Sequence, residues 1–182
     1  LVNTEVHALD RRESYTIRQM YLGRMMLFLV ISVLQAFIVS VGNFLLLGAY
    51  AAHHVYFSLF ATCIGLIFMV IVYTLVSVFG NIGKALAIVF LVLQLSGSGG
   101  TFPVQVSPAF FQAIHPFLPF TYAINLLREA VGGIVPELVQ RNILYLIGFG
   151  IIALAFGLLL KKPFHPRIQQ TSERAKSSRL IE

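Results

Sequence analysis

Val55–Phe79 reads VYFSLFATCIGLIFMVIVYTLVSVF, 25 consecutive residues without an Asp, Glu, Lys or Arg. At 1.5 Å per residue such a helix covers about 37 Å, more than the roughly 30 Å of hydrocarbon in a bilayer. The segment therefore reads as a membrane span, and the same reading extends to its neighbours. Met25–Leu47 is a 23-residue uncharged run introduced by Arg24. A third run begins at Ala85 after Lys84, is densely apolar to Leu95, and passes into Ser96-Gly97-Ser98-Gly99-Gly100-Thr101. A fourth, Asn142–Leu160, has 19 residues and ends against Lys161-Lys162. The expected spans are 25–47, 55–79, 85–102 and 142–160.

Composition agrees. Of 182 residues 58% are hydrophobic and 11% charged, whereas a soluble domain carries about 25% charged residues to face water. Lipid as solvent removes that need. The net charge of +6 does not indicate a nucleic-acid partner, because the basic residues lie at the chain ends and between apolar runs instead of sharing a face with aromatics. The single cysteine, Cys63, sits inside a span. It builds neither a disulfide framework nor a thiolate metal site, and is read as a packing residue.

Between spans three and four the chain is apolar but interrupted by Pro103, Pro108, Pro116 and Pro119. Each proline lacks a backbone donor and clashes with the preceding helical turn. Two short helices are expected instead of a fifth span, Pro108–Ile114 and Phe120–Val131. In the second, Phe120, Ala123, Ile124, Leu127 and Val131 share a face, while Thr121, Asn125, Arg128 and Glu129 gather opposite, a pattern for a helix at a water boundary or one that dips in and returns. The expected fold is thus all-α: a polytopic transmembrane helix bundle of four spans with a short re-entrant or interfacial pair at about 103–133. A cytoplasmic juxtamembrane segment, 1–24, precedes the domain at 25–160, and a basic tail at 161–182, with Pro163, Pro166 and three serines, is expected to be disordered.

Eleven of the thirteen Lys and Arg residues, Arg11, Arg12, Arg18, Arg24, Lys84, Lys161, Lys162, Arg167, Arg174, Lys176 and Arg179, fall on one side of a four-span model. Only Arg128 and Arg141 fall on the other. Short basic segments stay inside, so both ends are expected to be cytoplasmic. A helix from about Ser14 would set Ile17, Met20, Tyr21 and Leu22 on the membrane with arginines at anionic headgroups; the same segment suits docking of a cytoplasmic partner.

Lipid gives helices no hydrophobic reason to associate, so small residues that let backbones approach mark contact faces. Ser32, Ala36 and Ser40 form such a stripe on the first span, Ala61 and Gly65 on the second, Ala153 and Gly157 on the fourth. A homodimer through these faces is expected. Gln35, Asn43 and Gln94 are the notable polar residues within spans, read as hydrogen-bonding neighbouring helices in preference to touching substrate. No span holds an Asp, Glu, Lys or Arg, unlike a proton-coupled transporter. Ser96–Gly100 lacks the Lys of a phosphate loop, and Ser98 lacks the flanking glycines of a hydrolase elbow. His53-His54 is read as a headgroup-level loop, since adjacent side chains diverge and a metal would need ligands from elsewhere. No catalytic constellation, cofactor or metal is expected.

The stretches LQLSGSGGTFP (93–103), Ser107-Pro108, FFQAIHPFLPFTYA (110–123) and Leu127-Arg128 resemble the C-terminal membrane region of the phage infection protein (YhgE/Pip) family, within the wider type-2 ABC exporter permease group. The resemblance extends more loosely over about 24–160. It implies a longer bacterial cell-envelope protein with a further span and a large extracellular domain before Leu1, and a paired re-entrant element on the outer side. Gly97, Gly99, Gly100, Pro103, His115, Pro116, Pro119 and Arg128 are the candidate gating residues. Two functions follow: a permease-like export subunit, paired as a homodimer and driven by a cytoplasmic ATPase, or a non-transporting anchor and assembly module of a phage receptor or secretion-system component. Either would partner the bilayer, and the second a phage.

Overall fold

In the computed structural model the backbone is described over residues 17–177 and the side chains over 19–160. Six α-helices follow in order: α1 (Ile17–Leu45), α2 (His54–Phe79), α3 (Asn81–Gly97), α4 (Ala109–Ile114), α5 (Pro119–Gly132) and α6 (Pro136–Ser177). Short 3-10 turns at Val104–Val106 and His115–Phe117 flank α4. The chain is an all-helical membrane bundle. Within it Gln19–Leu45, His54–Phe79 and Pro136–Leu160 are long and apolar enough to cross a bilayer, and α3 is a shorter apolar helix. The expected helix start near Ser14 lies outside the described residues.

Two boundaries differ from expectation. The third helix occupies Asn81–Gly97, not 85–102. Lys84 marks where the chain meets water, but a charge in a first turn does not stop a helix; the lysine Nζ donates to Asn81 Oδ1 at 3.2 Å. At the far end Gly99 adopts φ +73°, outside helical geometry. The fourth helix starts at Pro136, whose missing N–H is no loss in a first turn, and stays helical to Ser177. It thus passes through most of the tail expected to be disordered. Lys, Gln, Glu, Arg and Ala, good helix formers, supply much of that stretch, and Pro163 and Pro166 do not end it.

Helix α2 is the hub. Phe60, Ile67 and Ile71 from α2, Ala123, Leu126 and Ala130 from α5, and Leu146 from α6 form the buried core. Helix α1 runs antiparallel to α2: Tyr21 lies beside Tyr73 and Thr74 at one end, and Phe44 beside His54 and Phe57 at the other. Gly80, at φ +60°, reverses the chain so that α3 returns along α2. Helix α6 runs parallel to α2, with Gly150 on Ile67 and Gly157 on Thr74. The start of α1, the α2–α3 turn and the Gly157 region of α6 therefore share one end of the bundle, with Arg24 and Lys84. The α1–α2 and α5–α6 connections share the other, where the Ala52 and His53 amides donate to the Val131 and Ala130 carbonyls at 3.2 and 3.1 Å.

The small-residue stripes are used within the chain. A Cβ at Gly65 would lie 3.1 Å from Ser32 Oγ and 3.7 Å from Ala36 Cβ, so α1 and α2 meet there. Ser40 is fully buried, Ala61 is half-buried, Ala153 packs on the core, and Gly157 faces Tyr21 and Thr74. Inside one chain, the stripes on three helices, α1, α2 and α6, thus already serve close helix packing. Lipid-facing positions are instead large and apolar, such as Val30, Leu34, Phe37 and Ile38 on α1.

Several polar groups within the bundle are satisfied by near neighbours. Ser58 and Thr62 donate back to the His54 and Ser58 carbonyls. The Tyr73 hydroxyl donates to the Tyr21 carbonyl at 2.9 Å, and the Tyr21 and Thr74 hydroxyls pair at 2.8 Å. Tyr21→Phe and Thr74→Val are each expected to cost about 1 kcal/mol. The double variant should cost clearly less than their sum, as thermal unfolding in detergent would show, because both remove one shared bond.

Candidate functional site: the α3–α5 junction

The loop after α3, the short α4 and the start of α5 fold back on the last turn of α3. Gly97 permits this: a Cβ there would sit 2.6 Å from Leu118 Cδ1 and 3.4 Å from Phe111 Cδ1. Gly100 faces Ile124 in the same way. Gly99 takes the left-handed backbone that turns the chain. Pro103 precedes the first 3-10 turn. Gln112 of α4 secures the intervening loop, its Nε2 donating to the Gln105 and Ser107 carbonyls at 3.3 and 2.8 Å.

Four side chains then tie the fold-back together. His115 Nδ1 bonds the Gly97 carbonyl at 2.7 Å, which makes Nδ1 the protonated nitrogen. Thr121 Oγ1 donates to the His115 carbonyl at 2.8 Å, and the Tyr122 hydroxyl donates to the Pro116 carbonyl at 2.7 Å. Arg128, one helical turn from Asn125 on α5, donates from Nη2 to the Gly99 carbonyl at 2.9 Å. Pro119 is buried at the first position of α5. Because it has no N–H, Phe120 carries the helix's first donor, and the buried Gln94 of α3 accepts it through Oε1 at 3.0 Å.

All eight candidate gating residues thus converge on one junction. Sequence reasoning did not assign Ser98, Gln94, Thr121 and Tyr122 to it. The signals available were Gln94 as a lone amide in an apolar helix, and Thr121 on the polar side of its helix. Arg128 is exposed and donates to the Gly99 carbonyl, and Glu129 Oε2 accepts from the Val135 amide at 2.9 Å. His53 and His54 turn to different rings, Tyr56 and Phe44, so they diverge as expected of adjacent side chains.

The junction spans depth. The Phe120 ring packs edge-on against Phe68, 5.6 Å between centroids, about 21 Å along α2 from His54. The far end of α5 meets the α1–α2 connection. Helix α5 therefore starts within the bundle and climbs to its end. Beside it a cleft of about 350 Å³ opens, lined by Ser98, Gly99, Thr101, His115, Asn125 and Arg128 among others.

Residues 11–131 match the ABC-2 type transporter family. The chain belongs to that family. The match takes in α1 to α5 and so the whole junction, with α6 beyond it. Within the ABC-2 group, the chain is similar to the uncharacterized protein YhgE of Bacillus subtilis, 37% identical over 103 residues, which bears out the resemblance carried by the 93–123 motifs. That stretch is 57% of this chain but 13% of YhgE, so the chain spans a small part of the length of that relative. No solved structure matches this ABC-2 domain.

Proposed function

We propose that this chain is the permease-like membrane domain of a bacterial exporter, with both ends cytoplasmic and the α3–α5 junction as its outer gate. One observation carries the reading: in a chain of the ABC-2 family, every glycine, proline and polar residue singled out as gating lies in one junction that reaches from mid-bundle to one end. Helices α4 and α5 are each shorter than a membrane span, so a shift of the pair against α2 and α6 would not require a span to unfold. The basic end of the bundle supports a cytoplasmic orientation and offers a cytoplasmic ATPase a docking surface, with the start of α1 at that end. Paired copies would form the path through a face other than the small-residue stripes.

The full protein, isolated from native membranes in mild detergent, is expected to bring an ATPase whose turnover changes several-fold on reconstitution with it. Repeated isolation without one would overturn the export reading. It would favour the second reading, a membrane anchor and assembly module, which the 13% coverage of YhgE supports by leaving most of such a protein outside this domain.

A further inference from the structure

The cleft beside α5 carries chemistry that a gate does not require. Ser98 is 3% exposed, lines the cleft, and its Oγ has no hydrogen-bond partner. A buried hydroxyl left unpaired costs stability unless something else meets it. Arg128 spends one N–H on the Gly99 carbonyl, and a guanidinium has five. Asn125, a turn earlier on the same helix, adds an amide. The lining includes no Asp or Glu, and the neighbouring Glu129 is occupied by the Val135 amide. With Nδ1–H committed to Gly97, the His115 ring is left with an acceptor nitrogen in its neutral form.

These groups match an oxyanion carrying a nearby hydroxyl. We propose that the cleft binds a phosphate ester, with Arg128 on the anionic oxygens and Ser98 and Asn125 donating beside it. Arg–phosphate pairing is the strong, directional form of such contacts. At one end of a membrane bundle the ester is either a lipid headgroup or a soluble phosphate, and both present the same group.

The test uses the full protein in detergent, with phosphatidylglycerol, sn-glycerol 3-phosphate and inorganic phosphate as probes and binding read by native mass spectrometry and thermal shift. Wild type is expected to bind at least one probe. Affinity should fall at least tenfold in Arg128→Gln and several-fold in Ser98→Ala and Asn125→Ala, and be unchanged in Arg141→Gln, an arginine outside the cleft lining. Ser98→Ala guards against misfolding, since it removes only an unpaired hydroxyl. Binding of the lipid alone assigns a headgroup; competition by the soluble esters assigns a soluble ligand. No binding by any probe, binding indifferent to the three cleft variants, or an equal loss in Arg141→Gln overturns the proposal. The measurement needs neither ATPase nor transport, so its failure leaves the permease reading standing.

Discussion

Gly83→Ala is expected to leave little folded protein, although it adds a single methyl group. Gly83 is buried in the first turn of α3, where the chain has just reversed at Gly80. A Cβ there would run into the Leu75 carbonyl oxygen and lie 2.7 Å from its carbon and 2.9 Å from Val76 Cα. These are backbone atoms of α2, the helix on which every other long element packs, and they have no rotamer into which to retreat. Relief would require α3 to move away from α2 by an ångström or more, which would also draw Gln94 and Gly97 from the α5 junction. Overpacking a flexible side chain costs about 1–3 kcal/mol; a backbone-on-backbone clash at a hairpin should exceed that range. Gly148→Ala is the matched control. It sits in α6 with nothing within 4 Å of an added Cβ, so replacing it should be neutral or stabilise by roughly 0.5–1 kcal/mol through helix propensity. Size-exclusion profiles and thermal midpoints of the two variants in the same detergent make the comparison. A Gly83→Ala protein with a wild-type profile would show that α3 does not pack as described.

The parts of this fold that were legible in the sequence are those that depend on one segment meeting lipid. Met25–Leu47 and Val55–Phe79 announce themselves because a charge inside hydrocarbon is expensive, and the prolines at 103–119 rule out a fifth helix of span length because they remove backbone donors. What was not legible depends on two segments meeting each other. Hydropathy located the water boundary at Lys84 and Arg141, yet helices α3 and α6 begin before those residues, because charge sets where a helix leaves the membrane and not where it is wound. The stripe Ser32–Ala36–Ser40 was visible as a face for close packing, but nothing in its spacing says whether the partner is Gly65 of the same chain or a second copy. At the junction, the glycines and prolines were visible because each has few conformational uses. Ser98 and Tyr122 were not, because their roles come only from the carbonyls and cleft that the fold-back sets beside them.

Gln94→Leu should have the largest effect of any side chain that joins the span bundle to the junction. A proline at the first position of α5 fixes its entry, and it also makes Phe120 the first residue with an N–H to satisfy. Water satisfies such donors at a surface, but this one is part-buried within the bundle, the ring of the same residue against Phe68. Gln94 Oε1 supplies the acceptor at 3.0 Å while itself 2% exposed. Leucine fills similar volume and suits lipid better, so simple hydropathy favours the variant. Accounting for the orphaned amide reverses the sign: a buried, unpaired donor costs about 1–3 kcal/mol, and more where no water enters. The loss should also be local. Hydrogen exchange of peptides covering the first turns of α5 should speed up by tenfold or more, while α1 peptides keep their protection. Gln35→Leu, on an exposed position of α1, should change neither. If Gln94→Leu were as stable as wild type and α5 exchanged no faster, α3 would not be holding the fold-back in place.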